Sequence, residues 1–281
     1  MLTPAAAQPS ATVTVLPDDS LLSVPLNRAV RLTIILPPNY DANGPALPVL
    51  FLNDGQDIPR LNLPQVLDSL YEQRAIRPFV LIAPHANADR IQEYGTAARA
   101  DYLNRGSKAG AYTDFVLTEL LPYARKRYRL SPDPAQTVIA GFSLGGLSAF
   151  DIGFHHPQQF SRVGVFSGSF WWRQKKFSND AASTYNDDTD RIMHNLIRAS
   201  TTKPAVKFWL QTGTNDETSD RNNNGVIDSI DDTLDIIKEL EKKGYTQPDD
   251  IRYVQVDGGE HNQRTWSAIM PDFLTWAFAK D

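Results

Sequence analysis

The chain has 281 residues, 41% of them hydrophobic and 22% charged, and no cysteine. At roughly 100 to 200 residues per domain this is material for one large domain or two small ones, and the balance excludes a disordered chain and a coiled coil. The 28 Lys and Arg against 33 Asp and Glu leave a net charge of −5, which gives no general attraction to nucleic-acid phosphates or anionic lipid; without cysteine, any nucleophile must be Ser, Thr, Lys or a carboxylate.

Taken in chain order, residues 1–10 read as a disordered or processed tail. Ala5 to Ala7 followed by Gln8 have the small-residue character of a cleaved export signal, which favours a periplasmic or secreted protein over a cytoplasmic one. Residues 11–281 read as a single domain, since no repeat or low-complexity linker divides them. Ala11 to Val15 and Val30 to Ile35, ending at Pro37 and Pro38, predict an antiparallel strand pair. Strands are then expected at 48–52, 79–83, 137–141, 162–166, 205–211 and 251–256. Helices are expected at 63–74, near 113–128, at 144–155, near 188–199, near 230–243 and near 265–278. Continuous apolar strands alternating with amphipathic helices predict an α/β fold, a mostly parallel sheet covered on both faces. No run reaches the ~20 apolar residues that span a bilayer. In such a sheet the chemistry belongs beyond the carboxyl ends of the strands.

Directly after the strand at Thr137 comes Gly141-Phe142-Ser143-Leu144-Gly145, a G-x-S-x-G match. The spacing is common by chance, but its place between a strand and a helix is that of a nucleophile elbow, with Ser143 as nucleophile. The Leu144 N–H, at the start of the helix, then points at the oxygen that becomes negative in acyl transfer. A tight glycine turn with Ser143 as helix cap is the competing reading. The strand at Ala205 leads to Asp216 and Glu217, and the strand at Ile251 leads to His261. That is the order acid, then base, which this fold requires. His261 would act as general base, and Asp216 is preferred to Glu217 because it is nearer the strand and shorter. Of the other histidines, His85 borders the same sheet edge, while His155, His156 and His194 have helix positions.

The elbow, together with Asp54-Gly55-Gln56, Ser167 to Trp172 and Gly258 to Trp266, resembles the esterase family that includes enterochelin esterases and, more distantly, esterase D, feruloyl esterases and mycolyltransferases. The likeness runs from about Arg31 to Phe278. It implies an α/β-hydrolase fold, a Ser143, Asp216, His261 triad, and the Gln56 N–H as second oxyanion donor. The chain shows no sizeable N-terminal domain before the hydrolase core and no evident basic cluster, so a siderophore substrate is not expected. Trp171 and Trp172 either line an acyl or sugar pocket or pack in the core. Arg90 either orients a polar substrate group or pairs with Glu93.

Residues 220 to 231, DRNNNGVIDSID, fit the Ca²⁺-loop pattern except that Asp231 replaces the final Glu. Asp220, Asn222, Asn224, the Val226 carbonyl, Asp228 and Asp231 would be the ligands of a weakly bound structural Ca²⁺. The competing reading is a polar Asn-Gly turn. No organic cofactor is expected. From Asp216 to Asp232 the chain carries six acids and one base, so the whole net charge of −5 is concentrated there. The expected activity is that of a serine carboxylesterase on carbohydrate-linked or other small acyl esters. An acyltransferase of the mycolyltransferase type and a noncatalytic carbohydrate-binding protein are the alternatives. The oligomeric state is left open.

Overall fold

Aliphatic runs flanked by Pro, Gly and polar residues become strands buried on both faces. The computed structural model describes residues 12–16, 19–178 and 183–280; the tail at 1–10 and Ala11 lie outside them. Among the described residues nine strands form one sheet: β1 (Thr14–Val15), β2 (Asp19–Ser23), β3 (Arg28–Leu36), β4 (Val49–Leu52), β5 (Val80–Pro84), β6 (Thr137–Phe142), β7 (Arg162–Phe166), β8 (Lys207–Asn215) and β9 (Ile251–Glu260). Their order is β1-β3-β5-β4-β6-β7-β8-β9, with β2 also paired to β3. Only the β1, β2 and β3 pairings are antiparallel; from β5 to β9 every pair is parallel. From β4 the chain goes first to β5 on one side and then to β6 on the other. That reversal opens a crevice at the carboxyl ends of the central strands.

The helices are α1 (Leu63–Glu72), α2 (Arg90–Glu93), α3 (Ala109–Asp114), α4 (Leu121–Arg127), α5 (Leu144–His155), α6 (Asp187–Asp190), α7 (Ile192–Ala199), α8 (Asp228–Lys242) and α9 (Gln263–Phe278). Side chains alternate across each strand, so Leu50 and Leu52 join one core with Leu67 of α1 and Phe273 of α9, while Val49 and Phe51 join the other with Leu121, Phe150, Ile197 and Ile236. This is the α/β-hydrolase arrangement, with the mostly parallel sheet between two helical layers.

Several expected elements change in ways that have physical causes. The predicted helix near 113–128 starts at Ala109 and carries a π-helical stretch, Phe115–Leu120, between α3 and α4. Strands β8 and β9 run four residues beyond the expected 211 and 256, because they pair with each other as far as Asn215 and Glu260. The helix expected near 188–199 is two, broken at Arg191 (φ −79°, ψ 117°). The break turns the Arg191 guanidinium onto α8, where Nη1 donates to Asp232 Oδ1 and Nη2 to Asp235 Oδ2, each at 2.7 Å.

Asp232 is fully buried, and Arg221 bonds both of its oxygens as well. Arg221 also bonds Asp187 at 2.7 Å and lies 3.2 Å from Asp228. The acidic concentration beside Asp216 is therefore offset in part by two buried guanidinium groups, one of them supplied from outside the segment. Removing the carboxylate between them would take away their shared buried partner, leaving Arg191 with Asp235 and Arg221 with Asp187 and Asp228. Asp232→Ala is expected to cost about 3 to 5 kcal/mol in urea unfolding; a loss under about 1 kcal/mol would mean that the arginines relax into water.

Candidate active site

The G-x-S-x-G residues form the turn between β6 and α5. Ser143 stands at φ 54° and ψ −123°, a conformation that L side chains adopt only when their surroundings force it. Those surroundings are tight. A Cβ on Gly141 would lie 2.3 Å from the Gly145 carbonyl oxygen, and one on Gly145 would lie 2.6 Å from Asp54 Oδ2. Leu144 opens α5, so its N–H is one of the helix's unpaired amino-terminal donors.

The loop after β4 braces this turn. Asn53 Nδ2 donates to the Gly145 carbonyl at 2.8 Å, and the Tyr112 hydroxyl donates to Asn53 Oδ1 at 2.6 Å. Asp54 is buried and accepts from Arg90 Nε at 2.7 Å, Arg90 Nη2 at 2.8 Å and Gln56 Nε2 at 2.9 Å. Arg90 Nη2 also donates to the Phe142 carbonyl at 3.3 Å. Of the two readings of Arg90, the pair with Glu93 does not form, since Arg90 bonds Asp54 instead. Glu93 is buried against Arg28 at 2.6 Å, and Arg90 supports the elbow.

Asp216 is buried, accepting the Gly213 N–H at 2.9 Å and the Ser167 hydroxyl at 3.1 Å. Burial raises its pKa, and those two bonds and His261 pull it back down. Ser167, at φ 45°, also accepts from Trp266 Nε1 at 3.0 Å. The Trp266 ring lies edge-on to His261 with centres 5.2 Å apart. His261 follows β9 and is open to solvent, yet the protein crowding its ring lowers its pKa below 6.5; Asp216 opposes that shift and Arg90 adds to it. Among the described residues no hydrogen bond joins His261 to Ser143 or Asp216, and Ser143 Oγ instead lies 3.4 Å from Ser169 Oγ.

One cavity of about 390 Å³ gathers Ser143, Leu144, Trp171, Asp216 and His261 from the expected residues, together with Ile91, Arg105, Ser167, Ser169 and Glu217. A larger one, about 460 Å³, lies around Arg162 and Lys207 at the amino ends of β7 and β8, away from the end of the sheet where these residues converge. Gln56 lines a different cavity of about 540 Å³ with Thr33 and His85, and its side-chain oxygen accepts the Ala86 N–H at 3.0 Å. His85 Nε2 is 2.8 Å from Thr33 Oγ1. Trp172 is corrected from a substrate contact to core packing: it is fully buried, with Gly95 and Gly106 against its ring.

Sequence reasoning missed Ser167 as the link between Asp216 and Trp266, because that link rests on a positive φ and two partners distant in sequence. It also missed Arg105 on the cavity wall, since a lone arginine in a polar loop carries no signal. A basic cluster does exist. Arg125, Lys126, Arg127 and Arg129 surround a cavity of about 410 Å³, but Arg129 and Ser131 bond to Leu47, just before β4. The cluster therefore lies at the amino ends of the strands, opposite Ser143.

The 220–231 loop keeps parts of the cation-loop shape. Gly225 has φ +85°, its N–H donates to Asp220 Oδ2 at 2.8 Å, and α8 begins at Asp228. The fit is incomplete. Asn222 and Asn224 turn amide nitrogens, not oxygens, towards Asp231 Oδ2 at 2.9 and 2.8 Å, and Asp228 accepts the Arg221 N–H at 2.9 Å and lies beside its guanidinium. A cation would need both amides to rotate.

Comparison with known proteins matches residues 23–277 to the model of the family described as "Putative esterase". The uncharacterized protein YbbA of Bacillus subtilis (strain 168) is 21% identical over 89% of this chain and 93% of its own. The iron(III) enterobactin esterase of Dickeya dadantii (strain 3937) is 49% identical over a shorter stretch, 23% of this chain and 15% of that protein. A solved ferulic acid esterase superposes with a TM-score of 0.71 at 20% identity, over 95% of this chain and 98% of that one, a likeness of fold. With nine-tenths of its length matched by the family model, this chain belongs to that esterase family and is a carboxylic ester hydrolase.

Proposed function

We propose that the protein is a serine esterase that works through an acyl-enzyme. The observation that carries this reading is the strained Ser143 at the carboxyl end of β6, in one cavity with His261 and Asp216. Ser143 Oγ attacks the ester carbonyl carbon while His261 takes its proton and returns it to the departing alcohol. Asp216 stabilises the imidazolium form. The N–H groups of Leu144 and Gln56 meet the oxyanion. Water deprotonated by His261 then attacks the acyl carbon and frees Ser143. Hydrogen bonds of this kind tighten only when substrate arrives, which draws the Ser143 hydroxyl from Ser169 towards His261. Carbohydrate-linked or other small acyl esters suit the half-buried Trp171 face on the cavity. A sugar acceptor in place of water would make the same steps a transfer.

A fluorophosphonate is expected to label Ser143, and Ser143→Ala is expected to abolish both labelling and p-nitrophenyl acetate hydrolysis. An unlabelled wild-type protein would overturn the reading. Because His261 must be neutral to accept a proton and its pKa lies below 6.5, kcat/KM should hold to below that pH and fall only on further acidification. Asp216 raises that pKa, so Asp216→Asn should shift the acid limb lower still while kcat drops by orders of magnitude. An unmoved limb in Asp216→Asn would reassign the acid.

The 220–231 loop is proposed to take a structural Ca²⁺ after rotation of the Asn222 and Asn224 amides, supported by the Gly225 turn and the helix start at Asp228. Calorimetry should give a Kd of about 10⁻⁴ to 10⁻³ M, with a rise in melting temperature on adding Ca²⁺. No heat and no shift at ten millimolar, about ten times the weaker limit, would make the loop a plain Asn-Gly turn.

A further inference from the structure

Arg105 occupies the wall of the cavity that holds Ser143, and the chain around it is organised to hold its guanidinium still. Asp101 is buried and accepts the N–H groups of Leu103 at 3.0 Å and Arg105 at 2.9 Å, while the Asp101 N–H returns a bond to the Arg105 carbonyl at 3.0 Å. Asn104 (φ 58°) and Gly106 (φ +75°) make the turn, and the Tyr102 N–H ties it to the Arg173 carbonyl at 3.0 Å. On this base the Arg105 side chain is fixed twice. Its Nε donates to Asp101 Oδ2 at 2.6 Å, with Nη2 beside the same oxygen. Its guanidinium also lies 4.9 Å from the Trp171 ring centre and 5.4 Å from that of Trp172.

A guanidinium has five N–H donors. Asp101 takes those on the Nε edge, and among the described residues no acceptor is bonded to Nη1. With 23% of the side chain exposed, the remaining donors are available to the cavity without further loss of side-chain freedom. The carboxylates on the same cavity, Asp216 and Glu217, come from the loop after β8. A second negative group on a substrate would be repelled from that wall and held at Arg105.

We propose that Arg105 is a substrate-binding residue that takes a carboxylate carried by the acyl part of the ester, so that half-esters of short dicarboxylic acids are preferred to neutral esters of equal length. This rests on the serine esterase reading and narrows its substrate class.

The test compares mono-p-nitrophenyl succinate with p-nitrophenyl butyrate, its neutral counterpart. In the wild-type protein kcat/KM should favour the half-ester by about tenfold or more, the worth of one charge-assisted hydrogen bond, mainly through KM. Free succinate should inhibit competitively, and free butyrate much less. In Arg105→Gln the preference ratio should collapse, with partial recovery in Arg105→Lys. Because Arg105→Gln leaves the buried Asp101 carboxylate without its counter-charge, the double variant Asp101→Asn, Arg105→Gln is measured beside it, and the wild-type comparison needs no variant at all. Equal rates on the two esters, or a preference that survives in both glutamine variants, overturns the Arg105 assignment while leaving the esterase reading intact. Hydrolysis of neither ester, with no fluorophosphonate label on Ser143, overturns both.

Discussion

A serine at φ 54° and ψ −123° costs on the order of 1 to 3 kcal/mol, and most of what surrounds Ser143 is arranged to maintain it. The turn closes only because Gly141 and Gly145 allow one backbone to pass within contact distance of another. It stays closed because Asn53 holds the Gly145 carbonyl and Arg90 holds that of Phe142. Those supports come from the loop after β4 and from α2, so the reversal of strand order at β4 is what brings them beside β6. The strain is maintained by long-range bonds that form only when the sheet is complete.

Charge is handled by the same means at several places around the loops. Arg90 with Asp54, Arg105 with Asp101, and Arg191 and Arg221 with Asp232 are each guanidinium–carboxylate contacts in which the acid is buried. Each fixes a segment that has little apolar packing of its own: the elbow brace, the 101–106 turn, and the loop that carries Asp216. Buried pairs are uncertain contributors to net stability. Their use here is positional, since a planar fork admits few geometries. The sheet and its two helical layers supply the stability, and the arginines hold the loops above it.

Wherever the signal was local, it could be read from sequence. Helix α5 and strand β7 have the boundaries their punctuation predicts, because Ser143-Leu144-Gly145 starts one and Phe166-Ser167-Gly168 ends the other. That Ser143, Asp216 and His261 come to one cavity could be expected because all three follow strands of a parallel sheet, a rule that needs no side-chain contact. What failed depended on partners far along the chain. Glu93 prefers Arg28 to its helix neighbour, Arg191 breaks a good helix to reach α8, and two adjacent tryptophans divide between core and cavity. The charge of −5 was counted correctly and its local concentration recognised. Arg191 could not be foreseen as a counter-charge, because it lies outside the acidic segment and reaches Asp232 only in the fold.

Ser167 accepts from the indole of Trp266 with the same hydroxyl that it donates to Asp216. The helix behind His261 and the carboxylate facing it are thereby referred to a single atom at the end of β7. If that strand end shifts, Asp216 and the helix that carries Trp266 are carried together, even though among the described residues no hydrogen bond joins Asp216 to His261. Their placement is a shared reference rather than two independent ones, so a change at Ser167 is felt on both sides of the cavity at once.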